Sequence, residues 1–169
     1  MSGLDAYLAD AEFIGLVAPV EQTDAFRKLK LTQHHNDSVY NHTLRVAYKA
    51  WRMGRKWHAD ETALLRGALF HDLYFHDWRE PEHIINHGWT HPYIALENAR
   101  QHFSPVSDSE AHIISSHMWP FNIKNPPRTK EAIILALADK WVATGEVIIM
   151  FFDFVSRTMT RPFRNGRRT

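Results

Sequence analysis

The chain has no cysteine among its 169 residues, so any metal it holds must be bound through imidazole nitrogen and carboxylate oxygen, with thiolate excluded. It has almost no net charge either. The 20 Lys and Arg stand against 19 Asp and Glu, which removes the global field that draws proteins onto nucleic acid or anionic lipid. A small-molecule partner is the default that remains. Long apolar runs are also missing: the most apolar segment, 147–155, is interrupted by Asp153 and falls far short of the roughly 20 residues a membrane-spanning helix requires. It reads as a buried helix end. Residues 1–10 already carry Asp5 and Asp10, so no secretory leader is expected and a cytoplasmic protein is. Alternating β-branched runs bounded by hairpin dipeptides are absent as well, which leaves an all-α domain.

With 44% apolar residues the chain can supply one continuous core. The expected organisation is a compact helical bundle over 38–155, with a helical extension over 1–37 packed on it. A basic tail follows over 156–169, ending in the Pro- and Gly-broken run RPFRNGRRT. Six tryptophans point to an exposed apolar patch and a homodimer.

Helical spacing runs through the rest. Ser38 can cap a helix reaching about residue 56, with Leu44, Ala47, Tyr48 and Trp51 near the apolar i, i+3, i+4, i+7 pattern. Asp60 can cap the next, which runs through Leu64, Leu65, Ala68 and Leu69 to the pair His71-Asp72. Residues 73–88, with Trp78, Pro81 and Gly88, read as an irregular lid or pocket wall. Pro92 fits the first turn of a helix capped by Thr90 or His91 and continuing to His102. Asp108 or Ser109 starts a helix to His117. A last long helix begins near Thr129, with Ile133, Ile134, Leu137, Ala138 and Trp141 on its apolar side and Asp139 inside that side.

Chemistry concentrates on histidine and aspartate. Twelve histidines are a heavy load, and His71-Asp72, placed between His42 and Asp139, can close around one divalent metal. A mixed His/Asp set suits iron, manganese, zinc, cobalt or magnesium and argues against calcium, which takes oxygen only. Asp139 on an apolar helix face is costly to desolvate unless paired. Its partner is a metal, or else Lys140 or Arg45. Ala132, Ala136 and Ala143 leave space beside its carboxylate, which favours a ligand role. Taken singly, His42, His91 and His117 read more readily as hydrogen-bonded core histidines than as ligands.

Taken jointly, the order His42, His71-Asp72, His91, His117, Asp139 resembles the HD-domain phosphohydrolase superfamily over roughly residues 38 to 145. NHTLRVA (41–47) is similar to its first-histidine helix, ALFHDL (68–73) to its His-Asp element and LALADK (135–140) to the helix with the final aspartate. THPYIALENA (90–99) and IISSHMWP (113–120) resemble the segments with the extra ligands of dinuclear members.

The resemblance implies one or two divalent metals, iron or manganese favoured, and hydrolysis of a phosphate ester or anhydride of a nucleotide or related small molecule. It implies that His42, His71, Asp72 and Asp139 bind the first metal, and that Asp72 bridges to a second completed by His91 and His117. His87 is the rival of His91. Many members carry a catalytic Lys or Glu shortly after the pair, whereas HDLYFHDW (71–78) has Leu73, Tyr74 and Phe75 there. Asp77 or His76 is the candidate substitute. Asp72, Asp77 and Arg45 make up the expected catalytic set, with Arg45, Lys140 and Lys124 as candidate phosphate-binding cations. Trp119 joins Tyr74, Phe75, Trp78, Trp89, Tyr93 and Phe121 as a candidate wall for a nucleobase. The Gly-Tyr-Pro signature of the cyclic-di-GMP branch is missing. Two other functions share this pattern: a di-iron oxygenase of the same fold, and a catalytically silent nucleotide-sensing module.

Overall fold

A computed structural model of the chain describes residues 3–34, 37–76 and 87–159. Asp77, Trp78 and the basic run 161–169 lie outside them. Seven α-helices occur among the described residues: α1 (Ala11–Glu21), α2 (Asp24–Arg27), α3 (Val39–Trp57), α4 (Glu61–Phe70), α5 (His87–His102), α6 (Asp108–Ser116) and α7 (Lys130–Met159). The only sheet among those residues is the antiparallel pairing of Gln33–His34 with Asp37–Ser38. The chain is all-α, and no described helix is long and apolar enough to cross a membrane.

Local chemistry sets the helix starts. Ser38 accepts from the Asn41 N–H at 3.3 Å and opens α3, and Asp60 accepts from the Ala63 N–H at 3.0 Å and opens α4. Such caps satisfy N–H groups that have no partner inside the helix. Between them His58 takes a left-handed conformation (φ 50°, ψ 50°) to end α3, and Ala59 N–H closes back on the Gly54 carbonyl at 3.0 Å. Helix α6 starts at Asp108, one of the two starts the sequence offers. Ser107 is its cap, in a reciprocal box with Glu110. Helix α5 starts earlier than expected, at His87, with Pro92 inside it rather than in its first turn.

α4 is the central element. Seven of its residues are buried, among them Leu64, Leu65, Ala68, Leu69 and Phe70, and a helix apolar nearly all round belongs in the interior. It packs against α3 and α6, with further contacts to α7. The N-terminal segment covers the outer side of α3. Phe13 packs on Tyr48 and Trp51 with ring centroids 5.0 and 5.7 Å apart, and Phe26 meets Tyr40 at 5.6 Å.

The apolar side of α7 is rotated from the expected one. Ala132, Leu135, Ala138 and Val142 are buried with Ile134, whereas Ile133, Leu137 and Trp141 are exposed. Small residues let α7 approach closely enough for Asp139 to face inward. Trp141 lies on the surface under the Lys49 ammonium, 4.4 Å from the ring centroid. In the segment read as a buried helix end, Val147, Ile148, Ile149, Phe151 and Phe152 are likewise exposed.

Two glycines set the spacing around α4. A Cβ on Gly54 would meet the end of the Leu64 side chain, which can move. A Cβ on Gly67 would lie 2.5 Å from Cγ2 and 3.0 Å from Cβ of Ile113, a β-branched residue stiff at χ1 and fully buried. Gly67→Ala should therefore cost ~1–3 kcal/mol and lower the melting temperature by several degrees. Ile113→Ala in the same chain should recover part of that loss; an unchanged melting temperature in the single variant would refute the tight contact.

Candidate metal centre

Five helices bring six side chains to one place. His42 is the fourth residue of α3, and His71 and Asp72 follow directly on α4. His91 comes from α5, His117 from the residue after α6, and Asp139 from α7. All six are buried. His91 is the α5 histidine that the described residues place in the cluster.

Asp72 divides the group. Its Oδ1 lies 3.3 Å from His91 Nε2 and 3.7 Å from His117 Nε2. Its Oδ2 lies 3.5 Å from His71 Nε2 and 3.8 Å from His42 Nε2. Asp139 Oδ1 faces the latter pair, 3.3 Å from His42 Nε2 and 3.9 Å from His71 Nε2. Donor atoms bound to one ion at about 2.0–2.2 Å are about 3–3.5 Å apart, so these separations suit shared coordination. Two sets, His42-His71-Asp72 and Asp72-His91-His117, each place their donor atoms within 4.8 Å of one another.

The tautomers support the same reading. Nδ1 of His71 donates to the Ala68 carbonyl and Nδ1 of His117 to the Ile114 carbonyl, both at 2.7 Å. Each bond fixes the proton on Nδ1 and leaves the Nε2 lone pair facing inward. The Nε2 of His71 is buried without a hydrogen-bond partner, near two carboxylates that, ionised, have no proton to donate. A cation satisfies that nitrogen and both carboxylates together, so the residues fit a divalent metal. His91 and His117 bring their Nε2 atoms to 2.9 Å, a second pair that converges on one point. His71 and His117 also stand at the C-terminal ends of α4 and α6, where the helix dipoles favour positive charge.

Electrostatics act in the same direction. Burial alone would raise the Asp72 carboxyl, but the electrostatic influence of the neighbouring His71 and the hydrogen bond from His91 outweigh it and hold the group well below its ordinary range. For Asp139, burial is likewise outweighed, chiefly by the hydrogen bond from His42, and its pKa is lowered. Both carboxylates are anionic at neutral pH. Burial would depress His42, yet its bonds to Asp139 and Glu146 raise it to about 10. In the absence of a metal that imidazole takes a proton in answer to the surrounding negative charge. Burial, with His91 and His71 adding to it, pushes His117 down to about 3 and keeps it neutral, the form that donates a lone pair.

Arg45 requires correction as a substrate cation. Its guanidinium lies 2.8 Å from Asp5 and 2.8 Å from Asp37, and 3.1 Å from Glu146. Three carboxylates occupy its donors, and it is not the partner of Asp139. Lys140 Nζ donates to the His117 carbonyl at 2.9 Å and stands 3.8 Å from Asp139 Oδ2. Burial lowers its pKa. Trp119, two residues beyond His117, is exposed, as are Trp89, Tyr93 and Phe121. Tyr74 is core, its ring against that of His91. His76 approaches the Tyr74 ring; Asp77 is outside the described residues.

Sequence reasoning missed Glu146, which accepts from His42 Nδ1 at 2.9 Å. The available signal was its spacing of two helical turns from Asp139, which puts both acids on one side of α7.

A family profile described as HD domain matches residues 39–144. Comparison with curated proteins and with solved structures gives no significant match.

Elemental mass spectrometry of protein purified without chelator should find two metals per chain in the wild type and one in His117→Ala. One metal in both proteins would restrict the centre to His42, His71, Asp72 and Asp139.

Proposed function

Since the chain belongs to the HD-domain family, whose members are generally metal-dependent phosphohydrolases, we propose that it hydrolyses a phosphate ester or anhydride of a nucleotide or related small molecule. The observation that carries this reading is Asp72, whose two oxygens face two separate histidine pairs beside the unpartnered Nε2 of His71. His42, His71, Asp72 and Asp139 would hold one divalent metal, and Asp72, His91 and His117 a second. Bound there, the metals supply activation of water near neutral pH and neutralise the charge that builds on the phosphoryl group. Iron or manganese suits the mixed imidazole and carboxylate donors.

The chain's own residues supply position and charge. Asp72 and Asp139 stay ionised and ready to bind, and the Nδ1 bonds of His71 and His117 hold their rings in place. Lys140 is the cation best placed for a substrate phosphate, because its ammonium is anchored to the His117 carbonyl at the edge of the cluster. Trp119 is proposed as a stacking surface for a base. Both roles follow from proximity to His117 and Asp139.

The test is phosphate release from a panel of nucleotide mono-, di- and triphosphates, cyclic nucleotides and simple phosphate esters, with Mn²⁺ or Fe²⁺ supplied. His71→Ala and Asp72→Ala should each reduce the rate to that of metal-free protein. Undiminished release in both variants would refute the assignment. Lys140→Ala should lower kcat/KM by about tenfold while leaving metal content intact.

A further inference from the structure

As ligands through Nε2, His42, His71 and His117 each need an acceptor for the Nδ1 proton. For His71 and His117 the acceptor is local: α4 and α6 end at these residues, so the carbonyls of Ala68 and Ile114 belong to the last turn and lack intrahelical partners. His42 has no such resource. It sits in the first turn of α3, where the carbonyls point into the helix and are taken up by later N–H groups. Its acceptor must come from elsewhere.

Glu146 supplies it. Oε2 lies 2.9 Å from His42 Nδ1, and the Glu146 side chain is only 7% exposed. A carboxylate so buried requires a cation, and Arg45 provides one at 3.1 Å from Oε1. Arg45, itself 13% exposed, is held by Asp5 from the N-terminal segment and by Asp37 just before α3. The chain of contacts therefore runs from Asp5 and Asp37 through Arg45 and Glu146 to His42. Asp5, Asp37 and Glu146 all fall outside the residues 39–144 that match the family profile. Helix α7 acts on both nitrogens of one ring, with Asp139 at Nε2 and Glu146 at Nδ1.

We infer that Glu146 is a positioning residue of the metal centre: with Arg45 behind it, its carboxylate fixes the His42 ring with the proton on Nδ1 and the Nε2 lone pair turned to the metal, and strengthens that nitrogen as a donor. The inference rests on the metal-centre reading above.

Calorimetric titration with Mn²⁺ tests it in wild type, Glu146→Gln, Glu146→Ala and His42→Ala, each first checked for a cooperative melt without metal. Glu146→Ala should weaken one Mn²⁺ by up to about 100-fold, and Glu146→Gln, which keeps the shape but loses the charge, by about tenfold. The other Mn²⁺ should bind as in wild type, and His42→Ala should mark which of the two is affected. If the alanine variant does not fold, the glutamine variant decides. Wild-type affinity in a folded Glu146 variant would overturn the inference and leave the metal centre standing. Failure of the wild type to take up Mn²⁺ would overturn the metal centre and this inference with it.

Discussion

Two carboxylates and four imidazoles buried at one point impose the constraint around which this fold is arranged. Taking an ionised carboxylate out of water costs several kcal/mol even after the protein relaxes, and Asp72 and Asp139 are both driven further toward ionisation by their neighbours. The cost is tolerable only where other charges converge. That requirement explains why five helices must meet there and why the chain brings two helix C-termini to the cluster. Behind His42 lies a second, partly buried charge system, in which Arg45 faces three carboxylates. The chain belongs to the HD-domain family, and the same donors that are expensive without a cation could form a metal site with one.

The architecture solves the orientation problem twice by the same means and once by another. At the ends of α4 and α6 a histidine bends back to the carbonyl three residues earlier, satisfying an orphan acceptor of the last turn and aiming Nε2 in a single bond. Capping the helix and aiming the imidazole are one event at these positions. At the start of α3 that economy is unavailable, and a remote acid from α7 replaces the backbone. The two solutions differ in what they depend on. Local bonds survive wherever the helix ends correctly, whereas the bond to His42 depends on how α7 and the N-terminal segment pack.

Much of this was legible in the sequence where the determinant is local. Ser38 and Asp60 announced α3 and α4 because a cap acts within three residues, and the order of His42, His71-Asp72, His91, His117 and Asp139 fell within one cluster. The errors share a cause, which is that they concern partners distant in sequence. Arg45 reads as a free cation until Asp5, Asp37 and Glu146 are brought to it. Ile133, Leu137 and Trp141 form a credible apolar stripe, but the burial of Asp139 and the small size of Ala132, Ala136 and Ala138 decide which side of α7 turns inward. Pro92 suggested a helix start because a proline costs nothing in a first turn; inside α5 it forfeits one backbone bond instead. Glu146 gave no local signal beyond its spacing from Asp139.

The contact between Gly67 and Ile113 bears on more than stability. Gly67 lies four residues before His71, and Ile113 lies four residues before His117, so each is one helical turn from a candidate ligand and on the same side of its helix. Where α4 and α6 touch at that glycine, the rings of His71 and His117 are held 5.0 Å apart, centroid to centroid. The hydrogen on Gly67 thus works as a gauge block. It sets the distance between the two halves of the cluster from below, one turn away from the donor side chains, and a larger residue at 67 calls for a smaller one at 113 to keep the same bite.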